Sequence, residues 1–435
     1  MKLFRWKPQL KLGLWLVGFL GLAAACADDT KPLNTFDSDG ELQGPKATQI
    51  QDLITPIFAI AGVVFVLVVG GAIWLALKNR VKPEDYDPED LPTQTHGNFS
   101  LEIMWTIAPA ILLAVISVFM VQSIWELEAE NEAGELDVMV IGQQWWWEYR
   151  YDVDGDGFYQ DANGDGVVDD KDEELPLSVS LDPDDVVTAN ELVIPINQQV
   201  DLKVTSRDVI HSFWIPALNG KRDAVPGRVH HWSVEADEAG KYAGWCTEFC
   251  GLSHARMRMS AIALQPADFD AWLENQKTQA EIPAEDTPEG RGRATFVANC
   301  SSCHMVDDGE DTNDGSAMQV SGAAPNLTHF ATRSAFAGSI YEVYLGDPDG
   351  DGQDNTDAND NELNVDDYLG LPDEASREAE TSADYRTNSA QLKRWIQNAP
   401  GQKDMAPDED RGMPAFPGLS DQQLDELVAY LATLD

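Results

Sequence analysis

Two uncharged apolar runs, Leu53 to Leu77 and Ile103 to Ile124, constrain this chain more than anything else in its sequence. Each is long enough, as helix, to cross a hydrocarbon core of roughly 30 Å. A backbone in lipid must satisfy its own hydrogen bonds, so both runs are expected to be helical. Lys78, Arg80 and Lys82 crowd the end of the first run. By the positive-inside rule the short connection then lies in the cytoplasm and both ends of the mature chain face outward. Leu12 to Ala25 is a third apolar stretch, preceded by Lys2, Arg5, Lys7 and Lys11 and ending in Leu22-Ala23-Ala24-Ala25. That is the layout of an export signal, so residues 1–25 read as a signal peptide. Cys26 follows at once, either as a lipid-modified cysteine or as a plain thiol in another cleavage frame. The expected location is the bacterial inner membrane, as a multi-pass protein in contact with lipid, with its globular parts on the outer or periplasmic face.

After a first segment of residues 26–128 the pattern changes. Leu136 to Ile141, Glu191 to Ile196, Val200 to Val204 and Ser260 to Leu264 are short, Val- and Ile-rich runs separated by Pro, Asn and Gly. They predict a β-sandwich or barrel over residues 129–275. Residues 276–292 turn to Gln, Thr, Glu, Pro and Gly and read as a linker. A flexible coil of that length would span roughly 20 to 25 Å. Residues 293–435 read as helical, and the last helix is marked by a capping box of Ser420 and Gln423 followed by Leu424, Leu427, Val428 and Leu431 at helical spacing. Lys and Arg total 29 against 75 Asp and Glu, a formal charge of -46 that argues against nucleic acid as a partner.

The chain has five cysteines, and four of them fall into two close pairs that point to metal or haem chemistry rather than a disulfide scaffold. Cys246, Glu248, Cys250, His254 and Met257 are clustered, with His211 upstream. Thiolate, imidazole and thioether together suit copper. Zinc would also accept two Cys and two His but gains little from Met. A pair of buried thiols without a metal is the plainest alternative. Cys300-Ser301-Ser302-Cys303-His304 is the attachment signature of a c-type haem, in which Cys300 and Cys303 take the vinyl groups and His304 binds iron. The sixth ligand is expected to be Met413, since His/Met ligation gives an electron-carrier potential. Met405 and then His329 are the alternatives.

The stretch Cys246-Thr247-Glu248-Phe249-Cys250-Gly251-Leu252-Ser253-His254-Ala255-Arg256-Met257 resembles the binuclear copper loop of cytochrome c oxidase subunit II, in the haem-copper oxidase family. The resemblance extends to Gln144-Trp145-Trp146-Trp147, His211-Ser212-Phe213-Trp214-Ile215-Pro216, Asp223-Ala224-Val225-Pro226-Gly227-Arg228 and the spans, through His96-Gly97-Asn98 and Leu101-Glu102-Ile103-Met104-Trp105. The haem segment, with Pro325-Asn326-Leu327 and Gly412-Met413-Pro414, resembles small bacterial cytochromes c. The implied architecture is multidomain: a two-helix transmembrane hairpin, a cupredoxin-like β-barrel and an all-α class I cytochrome c domain. The implied ligands of the copper pair are Cys246 and Cys250 as bridges, His211, His254 and Met257 as terminal donors, and the backbone carbonyl of Glu248. The resemblance further implies a magnesium site at the Glu248 carboxylate on the border with subunit I. Trp145 is implied as an exposed electron-entry residue, and Glu102 as the mouth of a proton path.

The function so implied is that of subunit II of a terminal respiratory oxidase. Its partners would be subunit I, subunit III, and a small redox donor protein or an upstream cytochrome complex. A different class, a donor module for a nitrogen-oxide reductase, fits less well. Nitrous oxide reductases share the copper loop, but seven histidines are too few for their further copper cluster. The acidic inserts Asp152 to Gly157, Asp161 to Gly166 and Asp347 to Gly352 resemble calcium loops, with Asp161, Asn163 and Asp165 as the expected oxygen donors. Solvated acidic turns are the alternative.

Overall fold

The computed structural model describes residues 44–80, 97–127, 136–153, 159–160, 173–174, 186–309, 324–345, 386–407 and 411–435. The signal peptide, Cys26 and the calcium candidates Asp161, Asn163 and Asp165 lie outside the described residues.

The two apolar runs form α1 (Pro45–Lys78) and α2 (Phe99–Leu127). Pro45 sits in the first turn of α1, where its missing N–H removes no helical bond. The Asn98 side chain accepts from the amides of Ser100 and Leu101 and starts α2. Phe58, Leu67 and Val118 are each about two-thirds exposed, and apolar side chains are open around both helices. Water would not tolerate such a surface, whereas lipid does. The outer end of the pair is anchored: Lys46 and Ala47 are buried, and the Lys46 ammonium donates to the Leu127 carbonyl at 3.4 Å. Gly44 lies so close to the Glu235 carbonyl that a Cβ there would collide with it. The helix ends therefore pack directly beneath the β-domain that follows.

That domain is built from β1 (Asp137–Gln143), β2 (Trp146–Asp152), the two-residue pair β3 (Tyr159–Gln160) and β4 (Glu173–Glu174), then β5 (Val186–Ala189), β6 (Glu191–Pro195), β7 (Val200–Ser206), β8 (His211–Trp214), β9 (Arg222–Ala224), β10 (His230–Val234), β11 (Gly240–Cys246) and β12 (Arg258–Leu264). One sheet has the order β10-β7-β1-β2-β5 and the other β6-β12-β11-β8-β9. The β1–β7 and β12–β6 pairs are parallel, and the remaining pairs within these two sheets are antiparallel. Trp147, Tyr149, Tyr151, Leu192, Leu202, Phe213 and Ile215 fill the space between the sheets. The Tyr151 hydroxyl ties them together, donating to the Val193 carbonyl at 3.0 Å and accepting from its amide at 2.8 Å. The chain crosses from one sheet to the other at Asn190, whose φ of 66° an asparagine tolerates and whose side chain accepts from the Trp147 amide.

A helix α3 (Pro266–Gln276) closes the domain, with Phe269 and Trp272 buried against it. Among the described residues three further α-helices follow: α4 (Pro288–Asn299), α5 (Ser389–Gln402) and α6 (Asp421–Leu431), the last with the capping box read from Ser420 and Gln423. Gly292 lets α4 and α6 touch, because a Cβ there would collide with the Glu426 carbonyl. Their second core holds Phe296, Leu392, Trp395, Leu424, Leu427 and Leu431. The stretch 276–292 differs from the free coil expected. Its last residues belong to α4. Before them the Thr278 carbonyl bonds His329 and the Ala280 amide donates to the Asp307 carbonyl, and both Ala280 and His329 are buried.

Candidate metal centres

The loop between β11 and β12 carries the donors. Cys246 is the last residue of β11, and Met257 directly precedes β12. Pairing of β11 with β8 sets Cys246 opposite Phe213, two residues beyond His211. The short 3-10 turn His254–Arg256 brings the chain back into the sheet. The six expected donors then fall into contact. Cys246 Sγ lies 3.7 Å from Cys250 Sγ, 3.8 Å from His211 Nδ1 and 3.2 Å from the Glu248 carbonyl oxygen. Cys250 Sγ lies 3.7 Å from both His254 Nδ1 and Met257 Sδ.

These separations decide the chemistry. A disulfide would bring the sulfurs to roughly 2.05 Å. Two ligands on one ion, with bonds of about 2.0 to 2.3 Å, sit roughly 3.5 Å apart. Each cysteine sulfur has the other cysteine and two further donors at about such a distance, six donors in one cluster. A single tetrahedral zinc would use four donors and leave two idle. The soft donor set fits a pair of copper ions.

Electrostatics agree with that arrangement. The Cys250 thiol beside Cys246 makes the first ionisation easy and pulls Cys246 well below the usual thiol range, against the opposing effect of burial. The same neighbour, with burial, drives Cys250 far above it. One thiolate forms readily, and the second needs a cation. His211 donates from Nε2 to Asp208 at 2.8 Å, which leaves Nδ1 as the lone-pair atom facing Cys246. Burial disfavours the Asp208 charge, but the bonds from His211, the Val209 amide and the Gln144 amide outweigh it and keep the carboxyl below its ordinary value. Neutralising this acid as Asp208→Asn is expected to weaken copper binding by roughly 10–100-fold, the usual cost of losing a partner that orients a metal-bound imidazole. Competition with a copper chelator measures it; unchanged affinity would show that Asp208 does not orient the ring.

Glycine makes the fit possible at two places. A Cβ on Gly142 would lie 2.8 Å from the His211 ring. Gly251, at φ 109°, lies against Gln144 and Trp145. Sequence reasoning passed over Asp208, Gly142 and Gly251. Only the position of Asp208 three residues before His211 was a local signal.

Beyond the copper loop, Cys300 ends α4 and is buried, while Cys303 is exposed and His304 is half-buried. The His304 Nδ1 lies 2.8 Å from the Pro325 carbonyl, an acceptor, so this nitrogen carries the proton and Nε2 is left for a metal. Burial pushes the His304 pKa down, which keeps the ring neutral and able to bind iron. Met413 packs at the edge of the C-terminal core. His329 has both ring nitrogens at 3.1 Å from carbonyl oxygens, of Asp435 and Thr278, and neither is offered to iron.

The family profile described as cytochrome c oxidase subunit II, periplasmic domain, matches residues 136–264, and the transmembrane-domain profile of the same subunit matches residues 41–122. Cytochrome c oxidase subunit 2 of Alkalihalophilus pseudofirmus is 30% identical over 99% of this chain and 96% of its own length. The chain belongs to the cytochrome c oxidase subunit II family. The Cereibacter sphaeroides subunit is 32% identical over 54% of the chain and 78% of its own length. Among solved structures, the periplasmic domain of subunit II of the Bradyrhizobium japonicum cytochrome oxidase is 29% identical, covers 34% of this chain and 96% of its own, and aligns with a TM-score of 0.25.

As a subunit II, the chain carries a β-domain of the copper-binding kind and belongs to the haem-copper oxidase complex. Glu102 lies exposed in the first turn of α2, at the end remote from the β-domain. The Glu248 carboxylate is also exposed, while its carbonyl faces Cys246. Trp145 differs from its expected exposure: it is 4% exposed. Its Nε1 donates to the Cys250 carbonyl at 2.9 Å, and its own carbonyl is covered by Lys403 from beyond α5. The exposed entry surface implied by the resemblance is here roofed by the C-terminal helical unit.

Proposed function

We propose that this chain is the electron-receiving subunit of a terminal oxidase, relaying electrons from a small redox protein or an upstream cytochrome complex, through a covalent haem c and a copper pair, to the haem of subunit I, where oxygen reduction is coupled to proton translocation. The observation that carries it is the cluster of six donors in which each cysteine sulfur meets two donors besides the other cysteine. With copper bound, these donors would supply one-electron chemistry at a site whose ligands need hardly move. Haem c would supply the same chemistry on Cys300 and Cys303, held by His304 and Met413.

The residues do the rest. Asp208 holds His211 in the binding tautomer. The buried β11–β12 frame fixes Cys246 and Met257 so that a change of charge moves little around them. Glu248 bonds through its carbonyl on the inside and turns its carboxylate outward, where it would hold magnesium against subunit I. Glu102, on the cytoplasmic end of α2, would admit protons. Subunit III and the surrounding lipid complete the assembly in the bacterial inner membrane, with the β-domain and haem unit on the outer face. The Asp161, Asn163 and Asp165 loop is proposed to hold calcium.

The assembly is testable directly. A tagged chain extracted from membranes in mild detergent is expected to bring down a large haem-bearing membrane subunit in equal amount. Recovery of the tagged chain alone, with both its metals present, would instead favour a free-standing electron carrier.

A further inference from the structure

Lys403 leaves the end of α5 in extended conformation, φ -136°, and is 2% exposed. Its ammonium donates to the Trp145 carbonyl at 2.7 Å and to the Ala337 carbonyl at 3.0 Å. Gly338, at φ 78°, comes so near that a Cβ would lie 2.6 Å from that ammonium, 3.3 Å from the Trp145 oxygen and 3.4 Å from the Arg256 oxygen. Only glycine fits there. Two backbone carbonyls, one from each folding unit, thus converge on one buried lysine Nζ.

The contacts around it involve the metal loop. Ser253, buried between ligands Cys250 and His254, donates to the Asp404 carbonyl at 2.6 Å, and the Arg256 guanidinium bonds the Gln402 carbonyl. Met405 packs against both hydrophobic cores. At a second point of the same interface, buried Glu191 accepts from the amides of Ser334 and Ala335, both at 3.1 Å, and from the Ser334 hydroxyl. An amine taken out of water needs hydrogen-bond partners, and Lys403 finds its two in carbonyls of different units. Its burden here is to fix the relative position of the two units.

Resting on the function proposed above, we propose that Lys403 is a positioning residue that seats the haem-bearing unit on the Trp145–Cys250 edge of the copper domain. Through that contact one electron leaves ferrous haem, which becomes ferric, and enters the oxidised copper pair, with no bond made and no proton moved. A separate donor cannot reach Trp145 while Lys403 holds the seat; it must dock on the haem-bearing unit.

The test uses the assembled oxidase carrying Lys403→Met, which keeps the unbranched chain out to the ε position and removes the amine donors. After rapid injection of an electron into haem c, transfer to copper is expected to slow by about tenfold or more, since a misplacement of an ångström can cost on the order of 100-fold in a positioned reaction. Amide hydrogen exchange in 253–257 and 337–338 should rise, Lys403→Arg should restore part of the rate, and the haem potential and copper spectrum should stay as in the parent. Unchanged rate and exchange in Lys403→Met would overturn the proposal. Should that variant fail to accumulate, Glu191→Ala decides: it opens the other half of the interface, and undiminished transfer with unchanged exchange at 253–257 would overturn the proposal equally. A parent oxidase lacking copper or haem would sink the reading beneath it instead, which the same preparation reveals.

Discussion

Serine in place of Cys250 is expected to abolish the copper pair and leave a folded chain that still carries haem. Cys250 is the point on which half of the site converges: His254 Nδ1 and Met257 Sδ both lie 3.7 Å from its sulfur, and Cys246 the same distance on the other side. A serine hydroxyl is neither soft nor ionised at neutral pH, so both coordination spheres lose a shared ligand at once. Affinity should fall by more than the roughly 10–100-fold that loss of an orienting partner costs, and electron delivery to subunit I should stop. Metal analysis should find at most one copper per chain, with the delocalised electron paramagnetic resonance signal gone. The fold should survive, because Cys250 is one small buried side chain in a core dominated by Trp147, Tyr149, Tyr151 and Phe213. A retained mixed-valence signal would show that Cys250 is not a bridge.

The second large effect concerns the haem. Replacing Met413 with His should lower the haem potential by on the order of a few hundred millivolts, within the roughly 0.8 V that axial ligands span, and remove the sulfur-to-iron absorption band. Met405→Ala should leave that band in place. The two methionines are close neighbours, since a Cβ on Gly412 would lie 2.6 Å from the Met405 sulfur. They have different surroundings: Met405 is wedged between the two cores, whereas Met413 packs only on the C-terminal one. If the band vanishes in Met405→Ala and persists in Met413→His, the ligand is Met405.

Local periodicity carried much of this architecture. The apolar runs became α1 and α2, the run Leu136 to Ile141 became most of β1, and Ser420 with Gln423 capped α6 as read. The strands β8 to β11 were less legible. Apart from β11 they are only three to five residues long, and the pairing of β8 with β11, far along the chain, is what brings His211 to Cys246. The donor residues themselves were readable because ligand chemistry restricts residue type. What supports them was not: Gly142 matters for a ring packed across from it, and Asp208 for a tautomer. The roof over Trp145 was beyond reach for a further reason. Lys403 is a lone cation in a sequence rich in acid, and nothing near it signals that it ends beneath another unit.

Metal analysis joined to electron paramagnetic resonance of the assembled full-length chain, matured with copper and haem, tests the central claim most directly. The account predicts about two coppers per covalent haem, with one electron shared between them in the oxidised form, as two spheres bridged by both thiolates require. Zinc in the Cys246–Cys250 loop, or haem without copper, would contradict it.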